Sequence, residues 1–188
     1  MERPNETHSK ESEWQTSPFG PFYCVFRWDL SRFDYPGPKQ SEDLRVKFAS
    51  ENEIGSSAEV WYEGLSNEEG SPWANYLKRW TPASAAKWFL DSKKRLGAKM
   101  LVAEEQEVIV GINGIISETN SGKGRFFTGI VVSPKYRRRG IGSLLLHQTL
   151  SDLNKEGLRC AEVETIQGIP AAKYLYPKYG GKGIQVPV

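Results

Sequence analysis

The chain is poor in the residues that build metal centres, disulfide frameworks and membrane spans. Its 188 residues include two cysteines and two histidines. Cys24 and Cys160 are too few for a disulfide framework or a multi-cysteine zinc site. His8 and His147 stand far apart with no ligand spacing around either, which argues against a histidine metal centre or a Ser-His-Asp triad. No apolar run approaches the ~18 residues that would cross a bilayer. The first thirty residues begin polar and lack the hydrophobic core of an export signal. Neither charge is in excess: 25 Lys+Arg against 23 Asp+Glu leave a formal net charge of +2. General nucleic-acid coats and polybasic membrane binders need a far larger cationic surplus. These absences leave a cytoplasmic α/β protein, expected to hold no metal and to bind neither nucleic acid nor membrane.

What is present is patterned. Residues 1–17 are polar and expected to be disordered, with Trp14 as the one anchor. In residues 18–43 the aromatics Phe19, Phe22, Tyr23, Phe26, Trp28, Phe33 and Tyr35 crowd together. That much apolar surface is costly to leave in water, so the arm is expected to pack on the main body, with PFYCVFRWDL as a short strand. A partner-binding arm is the alternative. Regular periodicity starts at Leu44, where LRVKFAS alternates as a half-buried strand. Ser50 and Glu53 form a capping box before a helix through Ile54, Ala58 and Trp61, which Gly64 is expected to stop. GLSNEEGSP then reads as a loop. Thr81-Pro82 opens a second helix that Gly97 closes. Strands follow over KMLVAEE, EVIVGINGIIS and RFFTGIVV, then a helix from about Arg139 to Glu156. A strand CAEVET, a helix AAKYLYPKYG and a last strand GIQVPV complete an α/β sheet with a central strand-to-helix crossover.

The densest chemistry lies in GIVVSPKYRRRGIGSLLL. A strand ending at Val132 passes through Arg137, Arg138, Arg139, Gly140, Ile141 and Gly142 into a helix. The first N–H groups of a helix have no internal partners and its dipole favours negative charge, so this turn is an anion site. The two glycines let a phosphate approach the backbone, and Lys135 with the three arginines makes a cationic rim. A Rossmann fingerprint does not fit, because Leu145 stands where a third glycine belongs. A P-loop needs G-K-(S or T), and Gly122-Lys123-Gly124 lacks the hydroxyl residue. A basic patch for nucleic acid over Lys135–Arg139 is the third rival, though such a run is usually a solvated turn.

Arg137-x-x-Gly140-x-Gly142, with V-S-P-K-Y before it and S-L-L-L after it, resembles the pyrophosphate signature (Q or R)-x-x-G-x-(G or A) of the GCN5-related N-acetyltransferase (GNAT) family. A second stretch, Ala172-Lys-Tyr-Leu-Tyr176-Pro-Lys-Tyr-Gly180, is similar to that family's A-x-x-x-Y-x-x-x-G-(F or Y), with Gly181 replacing the aromatic. The resemblance covers about residues 44–186 in element order. It implies a GNAT-like acyl-CoA N-acyltransferase fold over residues 44–188, a mixed central sheet flanked by helices, with the aromatic arm as an addition.

The resemblance also implies roles. The backbone of Ile130, Val131 and Val132 would bond the pantetheine arm of acetyl-CoA, the cosubstrate. The loop Arg137, Arg138, Arg139, Gly140, Ile141, Gly142 and Ser143 would hold its pyrophosphate. Tyr176 would protonate the leaving thiolate, a task that suits a phenol with a pKa near 10; helix-face packing of Tyr174 and Tyr176 is the plainer alternative. Glu162 and Glu164 share one face of CAEVET. Glu164 lies twelve positions before Tyr176, the offset of a catalytic glutamate in the branch that acetylates protein N-termini, although Ile169 replaces that branch's asparagine. Glu118, or water alone, could be the base instead. Cys160 reads as core or edge and not as a nucleophile. The family usually adds a seventh strand after the tyrosine helix, which the sequence ending at Val188 does not supply; the aromatic arm is expected to provide that sheet edge or acceptor wall. The implied activity is direct transfer of an acetyl, or a longer acyl, group to an amine of a small molecule or protein, by a monomer or homodimer. A non-catalytic acyl-CoA-binding or protein-interaction module on the same fold is the rival.

Overall fold

A computed structural model of the chain describes residues 23–39, 41–68 and 71–185. The polar stretch 1–17 with Trp14, the aromatics Phe19 and Phe22, and residues 186–188 of the last expected strand lie outside the described residues. In chain order come β1 (Tyr23–Asp29), β2 (Leu44–Phe48), α1 (Ile54–Ser66), α2 (Pro72–Leu77) and α3 (Pro82–Leu96). They are followed by β3 (Lys99–Glu105), β4 (Val108–Glu118), β5 (Lys123–Phe126), β6 (Val131–Val132), α4 (Ile141–Lys155) and β7 (Cys160–Ile166). A π-helical turn (Ala171–Leu175) then runs into α5 (Tyr176–Lys178), and β8 (Lys182–Gln185) closes the sequence of elements. The strands form one mostly antiparallel sheet in the order β2-β3-β4-β5-β7-β1-β8, with β6 paired to β4 beside that path. The pair β5–β7 is the parallel one.

Local signals account for most element ends. The Ser50 amide donates to Glu53 Oε2 at 2.7 Å in the capping box before α1. Thr81 accepts the Ser84 amide at 3.2 Å, Pro82 takes the first helical position, and Gly97 ends α3 with φ 62°. Helices cover both faces of the sheet. Met100 and Val102 of β3 face α1 and α3, whereas Leu101 and Ala103 point to the layer containing α4.

Four expectations change. Gly64 does not stop α1, which continues to Ser66; its backbone lies against Val131, where any Cβ would overlap that side chain. The expected loop from Gly64 to Pro72 hides a helix start, because Ser71 accepts the Trp73 amide at 3.2 Å and caps α2. RFFTGIVV is two strands separated by residues 127–130. The helix expected from Arg139 starts at Ile141.

The aromatic segment enters the sheet. β1 lies between β7 and β8, antiparallel to both, running in register from Tyr23↔Ile166 to Asp29↔Cys160 on one side and from Cys24↔Gln185 to Arg27↔Lys182 on the other. Its buried face carries Cys24, Phe26 and Trp28, followed by Leu30. On the other face Arg27 meets Glu162 at 2.5 Å, and Lys123 of β5 reaches the same carboxylate at 2.9 Å, so one buried acid ties three strands together. Cys24 and Cys160 are both free and face different register partners.

Trp28 also explains the missing aromatic at 181. Its ring is 2% exposed and packs edge-on against Tyr176 at 5.5 Å. A Cβ on Gly181 would come within 2.8 Å of that ring and of the Tyr176 carbonyl. The carbonyl is backbone and cannot yield. Gly181→Ala is therefore expected to lower stability by about 1–3 kcal/mol in urea unfolding; an unchanged midpoint would show that the Trp28 packing is loose.

Candidate active site

The site begins where the sheet opens. β5 runs parallel to β7 only as far as Arg125↔Glu162. Beyond that pair Gly129 turns at φ 68°, and the Thr128 hydroxyl accepts the Gly114 amide at 2.8 Å where a strand carbonyl would otherwise serve. The chain then rejoins β4 as β6, which among the described strands pairs with β4 alone, opposite Ile112 and Gly111. β6 and β7 thus diverge, and a cavity of about 550 Å³ fills the gap.

One end of the cavity is the start of α4. Its N-cap is Gly140, in the left-handed region at φ 83° and with no side chain to cap the helix. The amides of Ile141, Gly142 and Ser143 therefore have no helical acceptor and sit in the cavity wall. Arg138 also has a positive φ, 66°, so the loop alternates backbone hands as anion-cradling loops do. The arginines divide their work. Arg137 donates to the carbonyls of Val132 (3.1 Å) and Gly64 (2.5 Å), fastening the loop to β6 and α1. Arg139 binds Glu105 through two nitrogens at 2.9 and 2.5 Å and stacks over Tyr136. Arg138 lines the cavity.

The other wall is β7 and the turn after it. Pro177 has no amide to give to the Lys173 carbonyl, and the helix there takes a π turn before α5. Tyr176 is thereby placed with its ring enclosed by Phe26 (5.3 Å) and Trp28, and with its hydroxyl directed at the strand break. The Ile130 amide donates to that hydroxyl at a long 3.5 Å, and a Cβ at position 129 would stand 3.3 Å from it, so the glycine leaves room for the phenol. Burial pushes the phenol pKa up; the Ile130 amide acts against burial, and the Glu68 charge adds to it. Tyr176 stays protonated at neutral pH.

Of the residues singled out in the sequence, Ile130, Val131, Val132, Arg137, Arg138, Gly140, Ile141, Gly142, Ser143, Glu164 and Tyr176 all line this one cavity. Lys135, Arg139, Glu118 and Glu162 are not among its lining residues, and the Arg139 guanidinium is held outside by Glu105. Among the glutamates, Glu164 accepts the Tyr23 hydroxyl. Burial alone would raise the carboxyl of Glu162, but Lys123 and Arg27 outweigh it and hold it below the usual range, as suits a structural ion cluster. Glu118 pairs with Arg125 at 2.7 Å and is not among the residues that line the cavity. Glu68, Trp73 and Gly129 were not singled out in the sequence, yet all three line the cavity. Glu68 and Trp73 sit around the α1–α2 connection, where no motif marks them. Chemically, the arrangement can hold an anion at the start of α4, an extended arm along β6, and a proton donor at the far end. A phosphorylated acyl carrier such as acetyl-CoA fits that sequence of features.

Residues 62–181 match the protein-family model described as "Acetyltransferase (GNAT) family". No curated protein matches the chain. Among solved structures, it is similar to a GCN5-related N-acetyltransferase from Sphaerobacter thermophilus, with TM-score 0.64 and 20% identity, covering 86% of this chain and 48% of that one. It is also similar to the ribosomal-protein-S18-alanine N-acetyltransferase from Escherichia coli, with TM-score 0.56 and 17% identity over 73% of this chain and 76% of that one. A third is the PaiA N-acetyltransferase from Thermoplasma acidophilum in complex with coenzyme A, with TM-score 0.55 and 17% identity over 72% and 87%. At these identities the likeness is one of fold, and the chain spans about half the length of the Sphaerobacter protein.

Proposed function

Because the chain belongs to the acetyltransferase (GNAT) family, we propose that it transfers an acetyl group from acetyl-CoA to a primary amine, by direct attack of the amine on the thioester. The observation that carries this reading is the single cavity joining the uncapped start of α4 to the Tyr176 hydroxyl along the splayed edge of β6. In this reading the amides of Ile141, Gly142 and Ser143, with Arg138, hold the pyrophosphate. The backbone of Ile130 to Val132 aligns the pantetheine and polarises the acetyl carbonyl, the electrostatic help that acyl transfer needs. Tyr176 gives its proton to the sulfur as it leaves. Orientation of two bound substrates supplies most of the rate. Arg137 acts as a structural tie, and Arg139 contributes through its backbone only.

Isothermal titration with acetyl-CoA, followed by an amine panel scored for thiol release, tests the proposal. Saturable binding with amine-dependent release is expected. Folded protein that binds no acetyl-CoA at millimolar ligand would defeat it, and binding without release for any amine would favour a non-catalytic module. Arg139→Ala is expected to change acetyl-CoA affinity by less than about twofold, because surface ion pairs such as Arg139–Glu105 contribute little.

A further inference from the structure

The cavity holds two carboxylates, Glu164 on β7 and Glu68 in the connection after α1. One oxygen of Glu164 is occupied by the Tyr23 hydroxyl. Glu68 sits in a short hydrogen-bonded turn: its amide donates to the Leu65 carbonyl at 3.4 Å, and its carbonyl accepts the Ser71 amide at 3.0 Å. Among the described residues it forms no ion pair. Arg137, from the loop before α4, and Tyr176 of α5 interact electrostatically with it, and the same cavity is lined by the charged side chains of Arg138, Glu164 and Lys178 and by the phenols of Tyr136 and Tyr174. The Arg137 guanidinium is already spent on two carbonyls. Burial raises the carboxyl of Glu68, and Arg137 with Ser71 offsets only part of that rise. A carboxylate made more basic in this way is better matched to removing a proton near neutral pH.

We infer that Glu68 takes the proton which the acceptor ammonium must lose before it can attack, and that the acceptor enters as a cationic primary amine beside Trp73. The inference rests on the transferase reading above. An alkylamine at neutral pH is an ammonium with no lone pair to offer. Glu68 accepts one proton from it, and the freed lone pair forms the C–N bond as the C–S bond breaks. Tyr176 protonates the departing sulfur, and the second nitrogen proton returns to the Tyr176 oxygen. Glu68 then releases its proton to water, so the balance is ammonium plus thioester giving amide, thiol and one proton. Trp73 suits the approach, since an aromatic face attracts a cation.

The test compares the full chain with Glu68→Gln and Glu164→Gln, using acetyl-CoA and a linear alkyl diamine, with thiol release followed across pH. Glu68→Gln is expected to lower kcat/KM about 10²–10³-fold at neutral pH while leaving acetyl-CoA affinity by titration unchanged. The deficit should shrink as pH rises toward the pKa of the amine, because free amine needs no base; a merely structural residue would give no such rescue. The inference is overturned if Glu68→Gln keeps the wild-type rate and pH profile, or if Glu164→Gln alone shows the pH-rescued loss. It is also overturned if Glu68→Gln abolishes acetyl-CoA binding, which would place the side chain in the cosubstrate site. A wild-type chain that binds acetyl-CoA but releases no thiol with the amine panel would instead sink the transferase reading, and Glu68's role with it.

Discussion

A chain lacking residues 1–40 is expected to lose its cooperative unfolding transition. The truncation removes β1 from the interior of the sheet and so leaves the β7 edge without its seven registered partners and β8 without a neighbour. It also deletes Phe26, Trp28 and Leu30 from the core, where their exposures are 8%, 2% and 0%. Trp28→Ala by itself should cost about 3–5 kcal/mol. A domain of this size has roughly 5–15 kcal/mol to lose, so the whole strand exceeds what the fold can spare. Circular dichroism during heating reads the outcome. A sharp transition in the truncated chain, near that of the full one, would show that the sheet can close without β1. Such a result would also detach the aromatic segment from the site, since Phe26 and Trp28 are the rings that enclose Tyr176.

Tyr176→Phe should leave the fold and acetyl-CoA affinity almost unaltered while lowering turnover about 10²–10⁴-fold, the usual range for a lost proton donor. The ring remains, and with it the packing against Phe26 and Trp28. Only the hydroxyl goes, and its one hydrogen bond among the described residues is the long contact with the Ile130 amide. If Tyr176 served only as core, phenylalanine would replace it at little cost or with a gain, because a buried hydroxyl must be desolvated. The direction of its pKa shift adds a second reading. The phenol is held above its ordinary value, so the donor form persists throughout the neutral range and turnover should not fall with deprotonation of Tyr176 there. Thiol release measured across pH, alongside titration with acetyl-CoA, separates these outcomes; full activity in the phenylalanine variant would remove Tyr176 from the chemistry.

The two motif-bearing segments were the most legible parts of the chain, because their requirements are local. A helix start that must leave its amides open needs a residue able to take a positive φ, and Gly140 advertises that in one letter. Helix ends at Ser50, Thr81 and Gly97 are local in the same sense. What escaped the sequence depends on contacts between distant segments. Gly64 looks like a stop signal, but it is a glycine because Val131 needs the space. Arg139 looks like part of the cationic rim until Glu105, on the β3–β4 hairpin, draws it away. Glu68 lies in a run of polar residues that reads as an ordinary loop, and only the opposing β6 and α5 turn it into a cavity wall. The alternation in PFYCVFRWDL marks a strand, yet alternation says nothing about which neighbours that strand will have. Its place between β7 and β8 had to come from the fold.

That placement has a cost in time. Tyr23 and Glu164 touch across 141 positions of sequence, and β8, the other partner of β1, is further along still. During synthesis β1 emerges long before either neighbour exists, leaving Phe26, Trp28 and the following Leu30 uncovered. Contacts of such long range slow folding, and waiting apolar strands invite the wrong pairings. β1, made before the other described strands, is among the last of them to find its place, and it must be kept apart from other chains until β7 and β8 arrive.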